Sequence, residues 1–181
     1  MLRLTVVAIV FAFASLSGSA RAAERTASAD EFKEFGALVA GRWVVDVTLI
    51  SDWPGETKKQ GDKVTGYSNF TWIVDGRGIQ WDDVGGTSTS RTLFTYDAGK
   101  KQIKAFSVGT GLVWQTIIWK INDLEWGWQF TDASTTDGQK LTGEGCWVFK
   151  KDGKTLEIVG SVKRDGKDLP KLRDVFTRVA K

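Results

Sequence analysis

From Gly41 onward the chain never returns to a helical period, and that persistence is the strongest constraint on its fold. Apolar side chains recur at every second residue in run after run. In the first run Trp43, Val45, Val47 and Leu49 fall on one face, with Asp46 and Thr48 on the other, the signature of a strand with one buried side. Ten such runs are predicted, at Arg42–Ile50, Asp62–Val74, Ile79–Val84, Arg91–Asp97, Gln102–Val108, Leu112–Asn122, Leu124–Thr131, Gln139–Lys150, Thr155–Arg164 and Leu172–Ala180. They are rich in Val, Ile, Thr, Trp and Phe, and the chain's two prolines, Pro54 and Pro170, both fall between runs, where a missing amide donor does no harm to a ladder.

One helix precedes them. Ser28 and Glu31 are spaced as a capping box that satisfies the first free amides, and Phe32, Phe35, Leu38 and Val39 then form an apolar stripe. The helix is expected at about 29–39. Gly41 ends it, because a residue without Cβ turns the chain sharply at low cost. Trp43 is then expected at the floor of whatever the strands enclose.

The connections sort by length. With antiparallel neighbours, the turns at Asp75-Gly76-Arg77-Gly78, Ala98–Lys101, Asn122-Asp123 and Asp152-Gly153-Lys154 all fall at the helix end, and all are short. The links Ser51–Gly61, Gly85–Ser90, Asp132–Gly138 and Asp165–Lys171 fall at the other end and are longer; only Gly109–Gly111 is tight there. An open ten-strand meander would expose two long edges, which closure removes. The expected fold is therefore all-β, an up-and-down antiparallel barrel of about ten strands, with a short N-terminal helix plugging one end and a mouth at the other.

The helix followed by Gly41-Arg42-Trp43, the meandering strands and Arg178 in the last strand resemble the calycin superfamily, to which lipocalins and avidins belong. Closer still, the turn at Ile73–Gly78 and Thr95-Tyr96-Asp97 resemble bacterial secreted lipocalin-like domains of unknown function, over roughly Glu31 to Lys181. The resemblance implies that Arg178 packs across Trp43 and bonds carbonyls near the helix. Ten runs rather than eight, and the lack of a disulfide, depart from classical lipocalins. The absence of His removes the proximal ligand of related haem-binding barrels.

The first 22 residues read as a cleaved signal peptide: Arg3, an apolar Leu4–Leu16 and Ala20-Arg21-Ala22 before the cut. The remaining chain, 23–181, reads as one domain of about 159 residues, enough for a substantial core, and its expected address is the periplasm or the exterior. The chain's net charge of +3 falls to about +1 once Arg3 and Arg21 leave. Such a balance favours neither nucleic acid nor membrane as a partner after cleavage. Oligomeric state is left open.

The lone Cys146 can form no internal disulfide, and it reads either as an inert buried thiol or as a reactive one. Without His, the Ser-His-Asp and Cys-His mechanisms and the common zinc sites are out; no metal site and no cofactor is expected. Nine tryptophans are present (43, 53, 72, 81, 114, 119, 126, 128 and 147). Packed as core they fill the barrel; nearer the mouth they line an apolar pocket, and ten strands enclose more width than eight. The candidate ligand-binding residues are Trp53, Trp81, Asp83, Trp114, Trp128 and Phe130, with Gly41, Trp43 and Arg178 structural.

Tyr67, Asn69, Asp82 and Gln115 are further polar residues in apolar strands. Asp82 and Asp83 point to opposite faces, and with Ile79 and Trp81 inward, Asp83 is the one that enters. The expected function is the binding of a small apolar molecule. The alternatives are an isomerase or cyclase using Asp83 or Glu144 as an in-barrel carboxylate base, and a protein-interaction domain acting through the rim.

Overall fold

The computed structural model describes residues 25–86 and 88–179; the expected leader 1–22 and the final Ala180 of the last expected strand lie outside them. Ser28 caps helix α1 (Ala29–Val39) as a complete capping box, its hydroxyl accepting from the Glu31 amide at 3.1 Å while the Glu31 carboxylate accepts from the Ser28 amide at 2.6 Å. Of the expected stripe, Phe32, Phe35 and Val39 are buried and Leu38 is half-buried.

Eleven strands follow among the described residues: β1 (Gly41–Thr48), β2 (Lys63–Ile73), β3 (Gly78–Gly85), β4 (Ser88–Asp97), β5 (Gln102–Gly109), β6 (Leu112–Asn122), β7 (Glu125–Thr135), β8 (Leu141–Phe149), β9 (Thr155–Arg164), β10 (Lys167–Asp168) and β11 (Leu172–Arg178). Each from β1 to β9 pairs antiparallel with the next, and β11 bridges β9 and β1, so ten strands close into a barrel with the two-residue β10 outside it.

Two boundaries differ from the expectation by more than two residues. The link at Gly85–Ser90 is a tight turn, because Gly86 adopts φ +59° and Ser88–Arg91 pair with β3 and β5. The seventh strand runs to Thr135 rather than Thr131: a bulge places Gln115 opposite Asp132 and Thr116 opposite Phe130, leaving Thr131 unpaired. That extra residue shifts the alternation by one, so inward positions pass from Phe130 to the buried Ala133 and Thr135.

The closure at the helix end is a clasp around Trp43. Its indole N–H donates to the Val39 carbonyl at 2.8 Å. Arg178 lies directly across the strand pair from it, with its guanidinium carbon 4.0 Å from the ring centroid. The same guanidinium donates to the carbonyls of Leu38 and Ala40, both at 2.5 Å, and of Gly153 at 3.0 Å. Gly41 makes this possible: its φ is +119°, and a Cβ there would stand 3.0 Å from Arg178 Nη1.

Above the clasp Phe35 inserts from the helix into the barrel, 5.3–5.7 Å from the rings of Phe94, Trp126 and Trp147. Trp81 forms the next layer, stacked on Phe70 at 4.9 Å and edge-on to Trp147 at 5.8 Å. The helix end is thus filled solid, as small barrels are.

Trp43→Ala is expected to cost about 3–5 kcal/mol in denaturant melts, the range for deleting a large buried aromatic. Arg178→Ala should cost less, and the double mutant should show a coupling energy above about 0.5 kcal/mol, since both side chains hold one clasp. Strictly additive losses would show that the two residues act independently.

Candidate functional site

Above Trp81 the barrel becomes hollow, and the reason is a taper in side-chain size. Inward positions of β2 to β5 carry Phe70, Ile79, Phe94 and Ile103 toward the helix end. Toward the mouth the same faces carry Gly66, Gly85, Ser90, Ser107 and Gly109. The space left is three recesses of about 220, 150 and 210 Å³. All three are walled by Trp114 and Asp174, so they are chambers around a shared wall.

The six residues expected at a ligand site all reach this space. Trp53, Trp81 and Asp83 face the first recess, Trp81, Trp128 and Phe130 the second, and Trp53 and Phe130 the third, with Trp114 on each. Trp128 is held over a pair of glycines. Gly145 and Gly160 face each other across β8 and β9, the indole lies over both glycines, and its N–H donates to the Val159 carbonyl at 3.2 Å. A Cβ on Gly145 would stand 1.9 Å from that carbonyl oxygen, so no larger residue fits. Trp43 lines none of the three recesses; it lies beneath the Trp81 layer, which is the actual cavity floor.

The roof is the loop between β1 and β2. It is pinched at its base by the bonds Leu49 N–H to Asp62 O (3.0 Å) and Gly61 N–H to Leu49 O (2.8 Å), in the manner of an Ω-loop. Its tip crosses the mouth. Glu56 accepts from the Ser88 hydroxyl on β4, Pro54 packs against the backbone of Gly111 in the β5–β6 turn, and Arg164 of β9 donates to the Asp52 carbonyl at 3.2 Å. Trp53 is consequently half-buried and seated on the core rather than exposed.

Glu144, the second candidate base, is outside the barrel. Leu141, Trp147 and Phe149 take the inward positions of β8, and Glu144, on the opposite face, pairs with Arg25 at 3.0 Å with its side chain 59 % exposed. Tyr67, Asn69 and Gln115 are likewise exposed on outer faces, and Asp82 pairs outward with Arg91 at 2.6 Å. Cys146 is half-buried on the outer side of β8, opposite Gly127; burial, with the Glu125 carboxylate adding to it, pushes its thiol up and keeps it protonated.

The inward carboxylate that sequence reasoning missed is Asp174. Leu172, Asp174 and Phe176 alternate on β11 with Arg178, whose partner Trp43 faces in, so the register that places Arg178 also places Asp174. Asp83 accepts from the Ser68 hydroxyl, and burial raises its pKa against that bond. Asp174 is half-buried on the chamber wall; its Oδ1 is sealed and accepts no hydrogen bond. Burial first, and the nearby Asp83 charge second, push its pKa up to about 7. A carboxyl poised there can hold or release a proton at a bound molecule, the chemistry expected of Asp83 or Glu144 from the sequence. The other polar pair is Thr92 and Ser107, hydroxyl to hydroxyl at 2.6 Å. Among the described residues, no three His, Cys, Asp or Glu side chains come together to hold a metal ion.

Compared with known proteins, the chain matches no family model and no curated sequence. The site's own geometry is therefore what its function rests on.

An acid whose pKa rises on folding keeps its proton in the native state after the unfolded chain has lost it. Asp174 thus lowers stability as pH climbs from about 4, and the loss levels off above about 7. Asp82, Asp97, Asp152 and Glu157 are shifted the other way, downward, by their hydrogen bonds. Wild-type protein should therefore melt at lower denaturant at pH 8 than at pH 5. Asp174→Asn should flatten this dependence and stabilise the protein at pH 8, by up to about 4 kcal/mol. A wild-type profile flat from pH 5 to 8 would show that Asp174 is not buried as described.

Proposed function

We propose that the protein binds a small apolar molecule in the upper half of its barrel, under the Trp53 loop. The observation that carries this reading is the hollow itself: three chambers around Trp114, two of them bordered by Trp81, in a barrel whose other half is packed solid. An aromatic-lined recess with a few polar groups is the usual build of a small-molecule site. The finer kinship, with bacterial lipocalin-like domains of unknown function in the calycin superfamily, is supported by the ten-strand closed barrel and the Trp43–Arg178 clasp.

Export belongs to the same proposal and rests on the N-terminal run Leu4–Leu16 with Ala20-Arg21-Ala22. N-terminal sequencing of protein recovered from its host should begin at Ala23; an intact Met1 would remove it.

A neutral aromatic probe such as naphthylmethanol should bind with a Kd in the micromolar range, about 6–8 kcal/mol, and quench tryptophan emission. Trp53→Ala should weaken binding about tenfold, because the ring roofs two of the chambers, while moving the denaturant melt by about 1 kcal/mol or less. Failure of several neutral aromatic probes to bind well-folded protein would refute the binding role.

A further inference from the structure

We infer that the ligand is an amine, a molecule with an apolar body and a cationic ammonium head seated between Asp174 and Asp83 against the indoles of Trp81 and Trp114. This rests on the apolar-ligand reading above and names the ligand's class. Three observations lead to it.

The first is the charge of the wall. The ionisable side chains on the three chambers are Glu56 from the roof loop, Asp83 from β3 and Asp174 from β11, and no Lys or Arg lines any of them among the described residues. An anionic head such as a fatty-acid carboxylate would meet only like charge there.

The second is hydrogen bonding. Glu56 already accepts from Ser88 and from the amides of Thr57 and Lys58, so it fastens the roof. Asp83 accepts from Ser68 through one oxygen. Asp174 Oδ1 accepts nothing, although it is sealed from solvent and its residue borders every chamber. A buried acceptor without a donor costs about 1–3 kcal/mol, and an ammonium group carries three donors and no acceptor.

The third is the aromatic surround. Trp81 and Trp114 border the first two chambers together with Asp174. Indole faces are the best of the aromatic surfaces for a cation, and desolvation strengthens the attraction. Carboxylate and indole together select a positive head; an apolar recess alone would not.

The test uses three probes of one shape: naphthylmethylamine, naphthylmethanol and naphthylacetate, titrated at pH 8 by calorimetry and tryptophan quenching. The amine is expected to bind at least tenfold tighter than the alcohol, with the acid weakest. The amine-to-alcohol ratio should fall between pH 8 and pH 5 as Asp174 takes up its proton. Asp174→Asn should collapse the ratio toward one, with circular dichroism and the melt verifying the fold; should that variant not fold, the wild-type ratio and its pH profile decide the matter. If alcohol and amine bind equally, or the alcohol binds better, the amine assignment is overturned while the apolar-ligand reading stands. If none of the three binds, both fall.

Discussion

The guanidinium of Arg178 joins the parts of the chain that are farthest apart in sequence. It covers the Trp43 ring at the start of β1, bonds the last carbonyls of α1, and reaches Gly153 in the turn between β8 and β9. A meander can form most of its ladders from neighbours in sequence; the ladders that close the ring need β11 to find both β1 and β9. Those contacts carry the largest loop-closure cost. Concentrating a cation–π contact and three charge-assisted hydrogen bonds at that point gives the closing strand one register, and a slip of one residue would turn Phe176 and Asp174 to the outside.

The same register decides which features were legible in the sequence. Alternation revealed the strands because most of them bury one face, and the capping box revealed the helix, because both signals are local. The seventh strand looked shorter than it is because the bulge at Thr131 puts two consecutive polar residues, Thr131 and Asp132, on the outside and breaks the period of two. Asp174 was overlooked for another reason. It is a charged residue between Arg173 and Val175, and residue type suggests solvent; only the parity shared with Phe176 and Arg178 shows that it faces inward. Parity also places Glu144 outside, since Gly143, Gly145 and Trp147 occupy the other face of its strand.

The cavity was less legible still, because no single strand encodes it. Each of β2 to β5 carries large inward side chains at one end and Gly, Ser or Thr at the other, which in isolation reads as ordinary variation. Antiparallel pairing reverses every second strand, so the small ends come together only when the register is known: Gly66 meets Gly85, and Ser90 meets Gly109. The two tryptophan populations separate on the same basis. Trp43 and Trp126 are sealed below the floor, whereas Trp53, Trp81 and Trp114 are half-buried and line the hollow.

A hollow in a barrel weakens it, by about 24 cal/mol for each Å³ left empty where no occupant relieves it. A buried carboxyl without a donor weakens it again. Stability alone favours neither, and an apolar residue at 174 would remove the second. Here the two costs fall in one place, since Asp174 borders each chamber and the glycines open the space in front of Asp83. Water can relieve part of the first, because the chambers are roomy and carry polar groups. A molecule that fills the apolar volume and donates to Asp174 relieves more, because it restores dispersion contacts and supplies the missing donor together. A cationic head adds the charge that the wall lacks. Occupancy would then return Asp174 toward the ionised form at neutral pH, so ligand uptake at pH 7 would release a proton from this wall.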